Sequence, residues 1–200
     1  MGTIKTTNIE PIADNGTVTL GSSGDTVTVP SGCNFTNSGT ATGFSPITVA
    51  QQWRLSSSLT CSTTNVQTTI TANIEQVDTN GYAGIGTNMS ESSGIFTFPT
   101  TGIYLIKNNA VWYNSTADYC GISIFTTTDN SSYNQAQSSY QAIETGSGQY
   151  CHTSGDLIFD VTNTSTHKVQ FKYLVSDSTE LIGNTSVSQT YFDFIRLGDT

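Results

Sequence analysis

The thirteen residues GIFTFPTTGIYLI, at positions 94–106, constrain the fold more than any other stretch of this chain. Successive side chains of an extended strand point to opposite faces, so Phe96 and Phe98 share one face. Pro99 has no N–H to give to a ladder and Gly102 permits a tight bend, so the Pro-Thr-Thr-Gly stretch between them reads as a corner. Alternation then resumes, with Ile103 and Leu105 on one side and Tyr104 and Ile106 on the other. Two aromatic-bearing strands joined by such a corner belong to a β-sandwich.

The rest of the C-terminal three-quarters repeats this pattern. Residues 47–55, ITVAQQWRL, set Ile47, Val49, Gln51, Trp53 and Leu55 on one face, and residues 56–65 read as a polar loop. Between 66 and 78, Ile70, Ala72 and Ile74 alternate, whereas Ile70, Ile74 and Val77 would suit a helical face. The abundance of Thr and the lack of a helix cap favour a strand. Further strands are expected at 103–113, 119–127, 157–161, 169–175 and 187–197, separated by loops of Asn, Asp, Ser and Gly. Seven or more strands without a long helix predict an all-β fold, an antiparallel jelly-roll β-sandwich.

Residues 1–45 read as a separate unit. Thr17-Val18-Thr19-Leu20 and Thr26-Val27-Thr28-Val29 recur nine residues apart, each a short alternating segment closed by Gly or Pro. Two such rungs cannot bury their apolar sides alone, but three copies brought together can, which makes Val18, Leu20, Val27 and Val29 the candidate anchor of an extended β arm or stalk. The loop NSGTATGFSP separates this arm from a head domain at 46–200.

Composition narrows the partners. Charged residues are 10% of the chain, against roughly 25% in an ordinary soluble domain. Ser, Thr, Asn and Gly take their place, and aromatics also reach 10%, as in adhesive or particle-surface β proteins. The net charge of −9 comes without any cluster of Lys or Arg that would track a phosphate backbone, so no nucleic acid is expected. An acidic surface is repelled by anionic lipid, and neither a membrane-length apolar run nor a signal-peptide pattern is seen, so no membrane insertion is expected.

Residues able to carry chemistry are few. His152 and His167 sit in no nucleophilic or zinc motif, and the adjacent Cys151 and His152 point to opposite faces of a strand. A glycosidase pair would need two of the carboxylates Glu75, Asp78, Glu91, Asp118, Asp129, Glu144, Asp156, Asp160, Asp177, Glu180 and Asp193 at roughly 5 to 10 Å across a sugar-sized cleft. Most stand in turn-like contexts, and Asp129-Asn130 reads as a hairpin turn in preference to a calcium loop. No enzyme activity, metal or cofactor is expected. Asn-x-Ser/Thr triplets at Asn88, Asn114, Asn130 and Asn163 follow from composition alone and imply no glycosylation without a secretory route. Cys33, Cys61, Cys120 and Cys151 form no Cys-x-x-Cys pair. Two readings stay open, buried small apolar thiols or one disulfide joining Cys120 to Cys151.

The aromatics divide by context. Phe96, Phe98, Tyr104, Phe125, Phe159, Phe171, Phe192 and Phe194 lie in strand patterns and are expected in the sandwich core or at subunit contacts. Phe96, Phe98, Tyr104, Phe192 and Phe194 are the candidates for closing a trimer. Tyr113, Tyr119, Tyr133, Tyr140 and Tyr150 lie in or beside polar loops, where a ring can stack on sugar or meet a neighbouring protein.

Two resemblances bear on these patterns. Phe96, Gly102, Tyr104 and Ile106, spaced as they are, resemble the signature of globular heads related to complement component one, subunit q, and to tumour necrosis factor, and TYFDFIRLGDT at 190–200 is similar to the closing strand of that family. This likeness covers residues 46–200 and implies a ten-stranded jelly roll that assembles as a homotrimer. Over the whole chain, the opening IKTTNIEP, the phrase GDTVTVPSG and the closing THKVQF and FIRLGDT resemble small structural proteins of marine bacteriophages. The expectation is a non-enzymatic, homotrimeric protein of the virion surface, made in the host bacterial cytoplasm. Residues 1–45 would anchor it to other virion proteins and residues 46–200 would form the jelly-roll head. Its place would be a capsid decoration or head fibre. A receptor-binding tail fibre is the alternative, and a carbohydrate-binding module or weak glycan hydrolase a more distant one. The head's partner would be a host surface glycan or receptor. Folding in a reducing cytoplasm counts against an obligatory disulfide.

Overall fold

The structure is a computed structural model that describes residues 9, 11, 16–34, 36, 47–114, 116–143 and 148–200. The chain divides into two compact units, Met1–Phe44 and Ser45–Thr200.

In the first unit, residues 16–34 contain two turns and no strand. The Asp25 N–H donates to the Ser22 carbonyl at 3.0 Å and the Cys33 N–H to the Pro30 carbonyl at 3.1 Å. Val18, Leu20, Val27 and Val29 are 42, 65, 62 and 45% exposed. The expectation of two short strands here is therefore corrected for the single chain, while their packing against sister copies concerns an assembly. Neither Val-Thr-Leu nor Val-Thr-Val meets a ladder partner among the described residues, and an unpaired segment has nothing to fix it as a strand.

The second unit is all β, with thirteen strands among its described residues. One sheet holds β1 (Ala50–Leu55), β2 (Ser57–Cys61), β4 (Ile74–Gln76), β7 (Gly102–Asn114), β10 (Gln149–Val161), β12 (Thr179–Asn184) and β13 (Tyr191–Gly198). Its order runs β4-β1-β13-β7-β10, with β12 and β2 continuing beside the far end of β7. The other sheet holds β3 (Thr68–Thr69), β5 (Ser90–Ser92), β6 (Ile95–Thr97), β8 (Tyr119–Thr127), β9 (Asn134–Ala142) and β11 (Lys168–Val175), in the order β5-β6-β11-β8-β9, with β3 paired to β11. Every pairing is antiparallel.

Aromatic rings fill the space between the sheets. Phe171 of β11 stacks on Phe192 of β13 with centroids 4.0 Å apart and planes 14° off parallel. Phe96 of β6 meets Trp53, Phe171, Phe192 and Phe194 at centroid distances between 5.0 and 6.0 Å. Phe98 packs on Tyr104 at 4.7 Å. Phe96, Phe98, Tyr104, Phe192 and Phe194 are 0 to 2% exposed within one chain. The part of the expectation that gives these five rings to a threefold contact is corrected, because the subunit's own two sheets already enclose them.

The corner after Phe98 is fixed by side chains. The Tyr104 hydroxyl donates to the Thr100 carbonyl at 3.0 Å, and Arg196 Nε donates to the Thr101 carbonyl at 2.8 Å. Gly102 has φ of 142°, and a Cβ there would stand 2.3 Å from Arg196 Nε, so both backbone conformation and space demand glycine. At β1 the buried Arg54 is satisfied through Nε to Glu75 at 2.8 Å, NH2 to Asp78 at 2.9 Å and NH1 to Thr79 at 2.9 Å. This guanidinium ties the 75–79 segment to the sheet.

Several sequence expectations shift. The polar 56–65 stretch contains β2, which pairs with β12. The 66–78 stretch is two short strands separated by Asn73, whose φ of 61° interrupts alternation. The expected strand at 157–161 starts earlier, at Gln149, and that expected at 187–197 starts later, at Tyr191. Strand β9, NQAQSSYQA, has no apolar alternation and was not expected. Its one ladder partner among the described strands is β8, with the Tyr140 ring lying over Gly121.

Because Phe192 contacts both Phe96 and Phe171 from the opposite sheet, Phe192→Ala is expected to destabilise the head by about 3–5 kcal/mol. Urea unfolding followed by Trp fluorescence checks this.

Candidate assembly face

Strand β7 presents apolar side chains on both faces. Tyr104, Ile106, Ala110 and Trp112 point into the sandwich and are fully buried. Ile103, Leu105 and Val111 alternate with them and point outward, half-buried. Cross-strand register extends this outward set into a row. Ile158 of β10 stands opposite Leu105, Leu105 opposite Ile195 of β13, Ile195 opposite Ala50 of β1, and Ala50 bridges to Ile85. Ile158 is 66% exposed, Leu197 of β13 47%, and Ile85 45%. An apolar row crossing four strands is more than scattered surface hydrophobics, and it is the candidate contact surface.

A charged row runs parallel to it. Asp156 stands opposite Lys107, Lys107 opposite Asp193, and Asp193 opposite Gln52. Gln52 Nε2 donates to Asp193 Oδ1 at 2.8 Å. Burial pushes the Asp193 carboxyl above its ordinary range, against the smaller opposing effects of the Gln52 hydrogen bond and the Lys107 charge. The Tyr191 phenol is also raised, first by burial and then by Asp193. Lys107, Asn109, Ser154, Asp156 and Tyr191 line a polar hollow of about 320 Å³ beside this row. His152 Nε2 is hydrogen-bonded to Asn109 Oδ1 at the same level of the sheet.

Of the candidate tyrosines, Tyr113 and Tyr119 lie at strand ends beside loops, as expected, and Tyr140 and Tyr150 lie on strands the sequence reading did not extend to them. Tyr113 and Tyr150 stand opposite each other on β7 and β10, with centroids 4.9 Å apart and exposures of 37 and 68%. Tyr119 opens β8 and donates from its hydroxyl to Asn65 Oδ1 at 2.7 Å. Tyr140, on β9, accepts from Gln67 Nε2 at 2.9 Å. By topology these four gather at the end of the sandwich where β7 leads into β8. Tyr133 is alone in a loop, at the opposite end, following the hairpin in which Asp129 Oδ1 accepts from the Ser131 and Ser132 N–H groups at 2.8 Å each. Those same N–H groups, with Thr127, hold the Asp129 carboxyl well below the usual carboxylate range.

Sequence reasoning missed Leu105, Ile158 and Ile195 as a joint surface. The signal was present in unbroken apolar runs such as Ile103 to Ile106 and Leu157 to Phe159, since a strand with one wet face alternates and a strand covered on both faces does not.

Asp193 supplies a pH test. The folded subunit keeps this proton to higher pH than the unfolded chain, whose carboxyl has the ordinary value of 3.8. Stability therefore declines as pH rises from 3.8 through the folded-state value, and below 3.8 both states hold the proton, so the cost of burying the charge vanishes and the stability is fully present. Asp193→Asn keeps an Oδ1 acceptor for Gln52 and is expected to melt above the wild-type subunit at neutral pH. In thermal scans the difference should close as the pH drops past 3.8.

No family model matches the sequence, and no curated protein matches it. Solved structures match the fold. A crystal structure of mouse APRIL at pH 8.5 has a TM-score of 0.53 and 11% identity over 74% of this chain and 98% of that one. The Eiger TNF structure from S. frugiperda has a TM-score of 0.56 and 11% identity over 78% of this chain and 96% of that one. At such identity the likeness shows the fold alone. The head is an antiparallel, all-β jelly roll of the kind seen in TNF-family domains.

Proposed function

We propose that the protein is a non-enzymatic structural protein of a bacteriophage virion, a homotrimeric surface spike with residues 1–45 as anchor and residues 46–200 as the displayed head. The observation that carries assembly is the outward apolar row Ile158, Leu105, Ile195, Ala50 and Ile85, flanked by the Asp156, Lys107 and Asp193 row. Burying the first against a sister copy removes apolar surface from water, and the second fixes orientation by charge pairing. The TNF-like fold supports a closed ring of three in preference to an open chain of heads.

The anchor role rests on Val18, Leu20, Val27 and Val29, which stand exposed in the single chain and pack only when arms are brought together or docked on a particle. Three arms held by one head raise one another's effective concentration at the particle. The phage assignment rests on the resemblance of IKTTNIEP, GDTVTVPSG and FIRLGDT to phage structural proteins. Its proposed place is a capsid decoration or head fibre.

The non-enzymatic reading is supported by how the polar groups are used. Glu75 and Asp78 hold Arg54, Glu91 Oε1 accepts the Gly94 N–H at 2.6 Å, and Asp129 closes a turn. His167 is buried between Thr162 and Thr166. The exposed Tyr113 and Tyr150 pair favours a second role at the head's end, contact with a host surface glycan or receptor, which a tail-fibre location would also use.

Sedimentation of the purified chain should give three times 21.3 kDa. Ile158→Asp, at an exposed position outside the core, should give a folded monomer with an unchanged circular dichroism spectrum. A wild-type monomer at micromolar concentration contradicts the assembly reading. Deleting residues 1–45 should leave a folded trimeric head that no longer joins particles, read by the protein content of purified virions. Undiminished incorporation removes the arm's role.

A further inference from the structure

Two cysteines meet across the sandwich. Cys120 stands on β8 of one sheet and Cys151 on β10 of the other, with Sγ atoms 2.9 Å apart. A disulfide holds its sulfurs at about 2.05 Å, so closure requires an approach of less than about 1 Å, within the reach of side-chain rotation. Cys120 is fully buried and Cys151 partly exposed. The strands they occupy bracket β9, an edge strand whose residues are polar and mostly exposed. Little apolar burial holds that edge. A covalent link between β8 and β10 would tie both ends of the β8-β9-β10 segment to opposite sheets.

We propose that Cys120 and Cys151 form a cross-sheet disulfide when the protein meets a small-molecule disulfide outside a reducing cytoplasm, and that this bond staples the β9 edge. The half-exposed Cys151 is the entry point. Its thiolate attacks one sulfur of the small disulfide and expels one thiolate, leaving a mixed disulfide on Cys151. Cys120 then gives up its proton and attacks Cys151 Sγ, expelling the second small thiolate. Both expelled thiolates are protonated. The two protein thiols lose two protons and two electrons in all, and one small disulfide becomes two small thiols. The hydrogen bond that Cys120 gives lowers the Cys151 pKa, which favours Cys151 as attacker, while Cys120 is raised. Cys61 is a nearby thiol that stays out of the reaction. It is buried, its S–H is directed at the Leu59 carbonyl at 3.7 Å, and burial pushes its pKa up to about 12.

The test incubates the full chain with oxidised glutathione and, in parallel, with dithiothreitol. Oxidation is expected to lower the intact mass by about 2 Da, the two hydrogens lost. It should leave Cys33 and Cys61 open to alkylation in denaturant and yield one peptide pair joined through Cys120 and Cys151. The melting temperature is expected to rise by about 10 °C, as for a ring of this size closed in a domain of this length. Dithiothreitol should reverse both changes. Cys151→Ser should abolish them and Cys61→Ser should retain them. The wild-type comparison stands even where a variant fails to fold. Alkylation of all four cysteines after oxidation, a bond through Cys33 or Cys61, or a glutathione adduct persisting on Cys151 overturns the proposal. A Cys120–Cys151 bond without any rise in melting temperature overturns the stapling role.

Discussion

The stacking of Phe171 on Phe192 joins the two sheets at their centre, and the remainder of the head is arranged around that contact. One ring comes from each sheet, and Phe96, Phe194 and Trp53 close around them edge-on or tilted. Such rings bury large apolar areas and prefer offset or T-shaped neighbours, so they fix the spacing and the relative slide of the sheets together. With the interior closed in this way, each subunit is complete as a folded body. The proposed assembly would then use the outside of a sheet, and the outward side chains of β7, β10 and β13 become the informative ones.

On that outer face, apolar and charged rows lie side by side. Leu105 and Ile195 are half-covered by their neighbours, while Ile158 protrudes. Asp193 is shielded enough for its carboxyl to resist ionisation, and Lys107 stands between it and Asp156. A surface of this kind couples association to protonation. Bringing a second subunit over Asp193 would deepen its burial and raise the cost of its charge, unless Lys107 turns to meet it.

The alternating strands were legible because their side chains obey the period of two. β8 has the predicted limits, β7 is longer by one residue at each end, and β11 starts one residue earlier than expected. The polar strands were not legible. β2 and β9 carry Ser, Thr, Gln and Asn, whose presence is equally good for a loop, and only their pairing with β12 and β8 makes them strands. The five core rings were read as apolar strand positions; four lie on strands and Phe98 just follows β6, but one strand's pattern does not reveal whether the opposing surface belongs to the same chain or to another. Tyr113 and Tyr119 stand at strand ends beside loops, as expected, whereas Tyr140 and Tyr150 prove to be strand residues for the same reason that β9 went unseen. The outward apolar row requires register between four strands, and a single sequence does not supply that register.

Strand β9 shows how an edge can be located without grease. Polar strands slip in register easily, because no core face penalises a shift. Here the two flanking strands each offer an empty place: a Cβ on Gly121 would lie 2.1 Å from the Tyr140 ring, and one on Gly155 would lie 1.8 Å from the Gln137 amide. A slide of two residues would drive the ring into Tyr119 or Ser123, which have side chains where Gly121 has none. The outermost strand is thus keyed by what its neighbours lack.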